Sequence, residues 1–251
     1  MRVNRLQTME TFIIQKGSAS LEELAQAFAV STNTVRRDIN ELLIGGQIKK
    51  VYGGVSAVNP AGLLPMSVRA QRQLQNKQII GELAGALVPD HATLFLDSGS
   101  TTVCVIPQLA NKRNITLITH SLAALYEAAK YPELNVISLG GQYSQPTSSY
   151  VGASTTEALS RMTVDIVFIA ATGISLEKGL TNTTYFEAEL KRIVTRENAR
   201  IILLADHTKF DTFSLFTFCA LDRLSAVVTD QLPPPNYVAY FQERGIQLVY
   251  R

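Results

Sequence analysis

Between Ser20 and Tyr52 the chain reads SLEELAQAFAVSTNTVRRDINELLIGGQIKKVY, a run that leaves its local structure little freedom. Ser20 followed three residues later by Glu23 is a capping box, in which serine and glutamate each satisfy an amide left open at a helix start. Leu21, Leu24, Ala25 and Phe28 then recur at helical spacing, and Val30-Ser31 breaks and restarts the pattern, with Ser31 as a second N-cap. A second helix is expected over about Thr32 to Ile44. At about 3.6 residues per turn, Val35, Ile39 and Leu42 share one side of it, while Asn33, Arg36, Arg37 and Asn40 share the other. One side packs inward, and the other carries the residue types that donate to base edges and phosphates in a major groove. The plainer alternative is a solvated amphipathic surface.

The residues that follow favour the first reading. Gly45-Gly46 stops the helix, and Gln47 to Val55 reads as a small hairpin projecting Lys49 and Lys50. A supporting helix over Asn4 to Lys16, with Leu6, Met9 and Ile13 on one side, precedes them. Helix, tight connection, basic helix and basic hairpin make a winged helix-turn-helix, whose second helix enters the groove while its neighbours hold the backbone. The candidate DNA-binding residues are Ser31, Thr32, Asn33, Thr34, Arg36, Arg37 and Asn40 on the helix, and Lys49, Lys50 and Tyr52 on the wing. The run Val30 to Leu42, with its Arg36-Arg37-Asp38 triplet, followed by Tyr52-Gly53-Gly54-Val55, closely resembles the N-terminal signature of the DeoR/GlpR family of bacterial transcriptional regulators.

The chain has 251 residues, 46% of them hydrophobic, enough for one large domain or two modest ones. Its net charge is only +2, which excludes a protein that coats DNA by bulk charge. The cations must act locally, and Arg36, Arg37, Lys49 and Lys50 outweigh Asp38 and Glu41 on this segment. Cys104 and Cys219 have neither disulfide-framework nor zinc spacing, which fits a reduced cytoplasm. The N-terminus lacks the apolar core of a signal peptide, and no apolar run approaches the ~20 residues of a membrane span. A cytoplasmic location is therefore expected, with no membrane partner.

The expected organisation is a DNA-binding domain over 1–58, a linker over 59–65 marked by Pro60, Gly62 and Pro65, and an α/β domain over 66–251. A helix is expected from Met66 to about Leu87. Its Arg69, Arg72 and Lys77 read as a solvated surface, with phosphate contact as the alternative. Seven strand-like runs follow: Thr93–Asp97, Ile115–Thr119, Asn135–Leu139, Asp165–Thr172, Arg200–Ala205, Ala226–Thr229 and Ile246–Tyr250. They are rich in Val, Ile, Leu and Phe with little alternation, as suits strands buried on both faces of a largely parallel sheet. The segments near Val103–Leu109, Leu122–Ala129, Ser154–Arg161, Phe186–Glu197 and Tyr237–Arg244 serve as crossover helices. The fold class is α/β: a winged helix joined to an open, mostly parallel sheet domain.

Ligands of such sheets bind beyond the carboxyl ends of the strands. After the first strand comes Asp97-Ser98-Gly99-Ser100-Thr101-Thr102. Gly99 permits a tight turn, the hydroxyls of Ser100, Thr101 and Thr102 face a helix start, and together they suggest a phosphate cradle; simple helix capping is the alternative. Asp97 would accept from sugar hydroxyls or orient the loop. Gly140-Gly141 allows close approach of a ligand or of backbone, and Lys209 supplies a cation. Glu187 binds polyol hydroxyls or merely suits a helix N-terminus. His91, His120 and His207 share no metal-like spacing, so no metal and no cofactor are expected.

Residues 66–251 also look like the DeoR-type sensor domain, related in fold to ribose-5-phosphate isomerase and the CoA transferases. That resemblance rests on Asp97 to Thr102, Gly140-Gly141, Glu187-Ala188 and Asp206-His207-Thr208-Lys209-Phe210. It implies a phosphorylated sugar or related metabolite bound through Ser100, Thr101, Thr102, Glu187 and Lys209. Ser100 stands where the family often has Thr, and Ala170 where it often has Gly. The chain is thus expected to be a DNA-binding regulator of carbohydrate catabolism genes, a repressor and not an enzyme. Its expected partners are a double-stranded DNA operator, a phosphorylated sugar or polyol, and further copies of itself as a dimer or tetramer. The rival is a sugar-phosphate isomerase or acyl-transferase-like enzyme with an accessory nucleic-acid module, in which Asp97, Glu187 and Lys209 act as base and electrostatic stabiliser.

Overall fold

Both serine caps are formed. In the computed structural model, which describes residues 2–16, 18–45, 48–51, 53–57, 64–196 and 199–251, Ser20 Oγ accepts from Glu23 N at 3.1 Å and Glu23 Oε2 accepts from Ser20 N at 3.4 Å. Ser31 Oγ accepts from Thr34 N at 3.2 Å. Tyr52, Gly46, Gln47 and residues 59–63 of the expected linker lie outside the described residues. The chain divides into two units, Met1–Leu64 and Pro65–Arg251.

The first unit packs α1 (Arg2–Lys16), α2 (Leu21–Ala27) and α3 (Thr32–Leu42) with a three-stranded antiparallel sheet in which β3 (Gly54–Ala57) lies between β1 (Ser18–Ser20) and β2 (Ile48–Val51). β1 was not expected: three residues of Ser and Ala carry no strand pattern, and only pairing with β3 defines them. Gly54 is required there, because a Cβ would lie 2.2 Å from the carbonyl oxygen of Ala19. Met9, Ile13, Leu24, Val35, Ile39, Ile48 and Val55 form the core. Asp38 is fully buried between α3 and α1, where Arg5 grips it through Nε at 2.8 Å and a second nitrogen at 3.3 Å. It therefore locks two helices together and does not offset the exposed cations of α3.

The second unit begins with α4 (Met66–Gln71) and α5 (Leu74–Ala86). The single helix expected over 66–87 is corrected to two, because Gln73 adopts a left-handed conformation (φ +52°) and breaks it. β4 (Thr93–Leu96), a 3-10 turn at Thr102–Val105, α6 (Ile106–Leu109), β5 (Thr116–Thr119), α7 (Leu122–Ala128) and β6 (Asn135–Ser138) follow. A hairpin of β7 (Gln142–Ser144) and β8 (Ser149–Val151) leads to α8 (Ala153–Ser160) and β9 (Ile166–Ile169). Then come β10 (Gly173–Ser175), β11 (Gly179–Asn182), α9 (Tyr185–Val194), β12 (Arg200–Leu204), β13 (Phe216–Cys219), β14 (Ala226–Val228), α10 (Pro235–Glu243) and β15 (Gln247–Val249).

Among the described residues, the seven expected runs build one sheet in the order β15-β14-β12-β9-β4-β5-β6, every neighbouring pair parallel. Their side chains alternate between two cores, which is why the sequence shows unbroken apolar runs. Leu94, Leu96, Ile166, Phe168, Ile202 and Leu204 pack under α5 with Ile80 and Ala84. Phe95, Val167, Ile169, Ile201 and Leu203 pack on the opposite face with Leu190, Val194, Tyr237 and Phe241. The hairpin β7–β8 and the antiparallel sheet β10-β11-β13 were not expected; they place two strands between β9 and the helix that carries Glu187. Among the described residues, no helix is long and apolar enough to cross a membrane.

Candidate functional site

On α3 the division into faces is as the spacing predicts. Val35, Asp38, Ile39 and Leu42 are buried, whereas Ser31, Thr32, Asn33, Arg36, Arg37 and Asn40 are exposed and Thr34 is half-exposed. Lys49 and Lys50 stand exposed on β2. A cleft of about 300 Å³ runs between α3 and the wing, lined in part by Arg36, Asn40, Lys50 and Gly53. Gly53, at φ +81°, makes the turn of the wing in a conformation glycine adopts without strain. The arrangement presents long cationic and amide donors on a rigid rod beside a second cationic ridge, a surface suited to a charged groove.

In the second unit the strand order reverses at β4: the chain moves to β5 and β6 on one side, then returns to β9, β12, β14 and β15 on the other. The crevice beyond the carboxyl ends of β4 and β9 is therefore the topological switch point, where ligands of open α/β sheets bind. Asp97 ends β4 there, fully buried. Its Oδ2 accepts from Ala170 N of the β9 end at 3.0 Å and pairs with Lys191 Nζ at 3.0 Å. Lys191 also donates to the Ala170 carbonyl at 2.7 Å. His120 Nε2 lies 3.5 Å from Asp97 Oδ1, while its Nδ1 lies 2.9 Å from the Tyr150 carbonyl oxygen. Burial works against the Asp97 charge, but Lys191 and His120 overcome it and hold the carboxyl well below its usual range. Asp97 thus orients the switch point from within.

The loop residues divide in the same way. Ser98 Oγ donates to Glu187 Oε1 at 2.9 Å, and Asn182 Nδ2 and Thr184 Oγ1 donate to Glu187 Oε2 at 2.8 and 2.9 Å. Glu187 is 5% exposed, so in this arrangement its carboxylate is engaged by the protein. Thr102 is buried, its hydroxyl 2.7 Å from the carbonyl oxygens of both Asp97 and Gly99. Gly99 packs on Ala170, whose Cβ would be 2.5 Å from a Cβ at 99. Ser100 is half-exposed and Thr101 6% exposed, which leaves Ser100 the more open hydroxyl. The expected helix start is a 3-10 turn followed by the four residues of α6, too short to gather a large dipole.

Gly140-Gly141 follows β6, two strands from β4 on the far side of the switch point. Its close approach is to protein: Thr155 Oγ1 donates to the Gly140 carbonyl at 2.7 Å, and a Cβ at Gly141 (φ +143°) would lie 2.1 Å from Thr155 Oγ1. Lys209 is half-exposed in a 3-10 turn capped by Asp206 at the end of β12. His207 is tied to Asp230 through its backbone amide and ring, each at 2.7 Å.

Two cations that the sequence assigned to a solvated surface belong instead to this end of the sheet. Lys77 is 4% exposed, and Arg69 is half-buried. Burial lowers the Lys77 ammonium to about 8, with Asp206 opposing the shift and Lys209 adding to it. Burial also lowers the Arg69 guanidinium, opposed by Glu187 and Asp97. A solvated helix and a buried one can share the same charged residues, so only packing separates the two. Among the described residues no group of three or more His, Cys, Asp or Glu side chains could hold a metal ion. Burial raises both cysteine thiols, Cys219 to about 11.

Residues 5–61 match the model of the DeoR-like helix-turn-helix domain, and residues 72–231 match that of the DeoR C terminal sensor domain. The chain is 38% identical over 246 residues to the HTH-type transcriptional regulator IolR of Bacillus subtilis (strain 168), covering 98% of each. It is 28% identical to the glycerol-3-phosphate regulon repressor of Escherichia coli (strain K12), covering 93% of each. A ribose-5-phosphate isomerase in complex with phospho-erythronic acid is similar over 53% of this chain and 52% of its own, at 18% identity and a TM-score of 0.40. With both of its parts matched and a relative aligned from end to end, this chain belongs to the DeoR family of DNA-binding transcriptional regulators.

Proposed function

We propose that the protein is a repressor of carbohydrate catabolism genes whose operator affinity is altered by a phosphorylated sugar or polyol. The observation that carries this reading is the exposed row Asn33, Arg36, Arg37 and Asn40, opposite the buried Val35, Ile39 and Leu42, in a chain of this family. Ser31, Thr32 and Thr34 at the helix start, and Lys49, Lys50 and Tyr52 of the wing, complete the DNA contacts. The effector is held at the switch point by Ser100 and Thr101 with Lys209, while Asp97, Gly99, Thr102 and Glu187 shape the loop and Gly140-Gly141 bounds it. A relative that is a glycerol-3-phosphate regulon repressor supports an anionic polyol as the ligand class.

Regulation requires that the effector bind the DNA-competent and incompetent states unequally, and the coupling is then reciprocal. A homo-oligomer, dimer or tetramer, gives the effector a spacing of two reading helices to act on. An exposed apolar cluster supports self-association: Tyr185, Phe186, Phe213 and Leu215 are each more than half exposed, with Tyr185 packed on Phe186 and Phe216.

Electrophoretic mobility shifts on the DNA flanking the gene, with and without sugar phosphates, test the division of labour. Arg37→Ala weakens DNA binding by about 1–3 kcal/mol, roughly fivefold to 150-fold, with effector binding intact. Lys209→Ala keeps DNA binding and loses the effector response. Two variants that both lost DNA binding alone would refute the two-site scheme. Turnover of a sugar phosphate by the full chain would favour the enzyme.

A further inference from the structure

The exposed row of α3 is two ridges rather than one surface. Residues four apart lie on one line along a helix, so Arg36 and Asn40 form one ridge and Asn33 and Arg37 the other. The neighbours Arg36 and Arg37 point about 100° apart. The cleft between α3 and the wing takes in the first ridge alone: Arg36 and Asn40 line it with the buried Ile39, and Asn33 and Arg37 do not.

Lys50 enters the same cleft from the wing. It stands two residues after the buried Ile48 on β2 and directly opposite the buried Val55 on β3, so it shares their face of the sheet. The described residues that line the cleft include two cations and no carboxylate. Asp38 is buried against Arg5, and Glu41 comes one turn after Arg37, on the ridge away from the wing. The remaining walls include Leu21 and Val51, the latter 41% exposed beside the lysines.

A duplex presents two reliefs to a protein. Its sugar and phosphate strands stand up as the rims of the groove, anionic with apolar sugars between the charges, while the base edges lie on the groove floor. A projecting ridge reaches the floor, and a cationic recess with apolar walls fits a rim. Resting on the reading of α3 as the DNA-facing helix, we propose that the cleft seats the backbone of one DNA strand. Arg36 and Lys50 hold phosphates from its two walls, Asn40 donates beside them, and Val51 packs on deoxyribose. Arg36 and Asn40 are thus positioning residues, and base readout falls to Asn33 and Arg37. Two adjacent arginines of one triplet do different work.

The test titrates the full chain by fluorescence anisotropy with a mixed-sequence duplex across a potassium chloride series, and selects its preferred site from a random-sequence pool. Arg36→Ala and Lys50→Ala each make the slope of log affinity against log salt shallower by about 0.9, and both select the wild-type site. Arg36→Lys restores the slope, because a phosphate accepts either cation, whereas bidentate base readout by arginine does not survive that exchange. Arg37→Ala selects a relaxed site. On the selected site, a neutral methylphosphonate at one rim phosphate weakens the wild type but leaves Arg36→Ala unchanged. If Arg36→Ala keeps the wild-type slope or relaxes the selected site, or if Arg37→Ala selects the wild-type site, the proposal fails and α3 remains the DNA-facing helix. Finding no methylphosphonate position that separates the wild type from Arg36→Ala also overturns it. If the wild type binds no duplex at low salt, the proposal and the reading beneath it both fail.

Discussion

Asp97 and Lys191 are the ion pair on which the switch point hangs. With Asp97 fully buried and the Lys191 side chain 4% exposed, neither charge has water to fall back on. Replacing Asp97 with Asn strands a buried ammonium and costs roughly 3–5 kcal/mol, measured as a lower midpoint in urea at neutral pH. The pH dependence has a definite sign. Because the folded state holds this carboxyl below its ordinary range, its contribution is complete above the ordinary aspartate value of about 3.9 and fades as acid protonates it below that. Acid titration of the wild type should show that loss of stability, and Asp97→Asn should flatten it. A sequence announces an aspartate at a strand end but not its partner: Lys191 lies on α9, far along the chain, and only the closing of β4 against β9 brings it to Asp97. Lys77 was misread for the same reason, since no local pattern separates a buried lysine from a wet one.

The elements that were legible are those whose signal is local. Seven apolar runs gave the parallel strands, because each is buried on both faces, and serine caps gave the starts of α2 and α3. β10, β11 and β13 were invisible, being three or four residues long, partly Gly, Thr and Asn, and held by partners such as Leu180 with Cys219. The break at Gln73 was equally silent, with neither glycine nor proline to mark it. The seat of α5 gives a test at this scale. Alanine is favoured over glycine inside a helix by about 1 kcal/mol, yet Gly81→Ala drives a Cβ into the Cys104 carbonyl, a backbone group that cannot swing aside. The variant should be destabilised by about 1–3 kcal/mol, as followed by thermal unfolding.

Across the whole molecule, a net charge of only +2 means that DNA affinity comes from a few placed cations. Each phosphate neutralised contributes about −0.9 to the slope of log affinity against log salt. Exchanging both Lys49 and Lys50 for Ala should make that slope shallower by roughly 2 while leaving the preferred sequence unchanged. Fluorescence anisotropy across a potassium chloride series checks it. The same change in Arg37, on the reading helix, should alter sequence preference as well. Each unit has its own core, so the reading surface and the crevice can be perturbed separately.

The sequence by itself determined the two parts, the outward row of α3 and the seven strands, because caps, helical spacing and doubly buried apolar runs are properties of neighbouring residues. Only the tertiary structure decided where the sheet reverses, that Asp97 and Glu187 are engaged by the protein, and that Lys77 is buried. Those outcomes depend on side chains brought together by strand order and helix packing, and no stretch of chain encodes them alone.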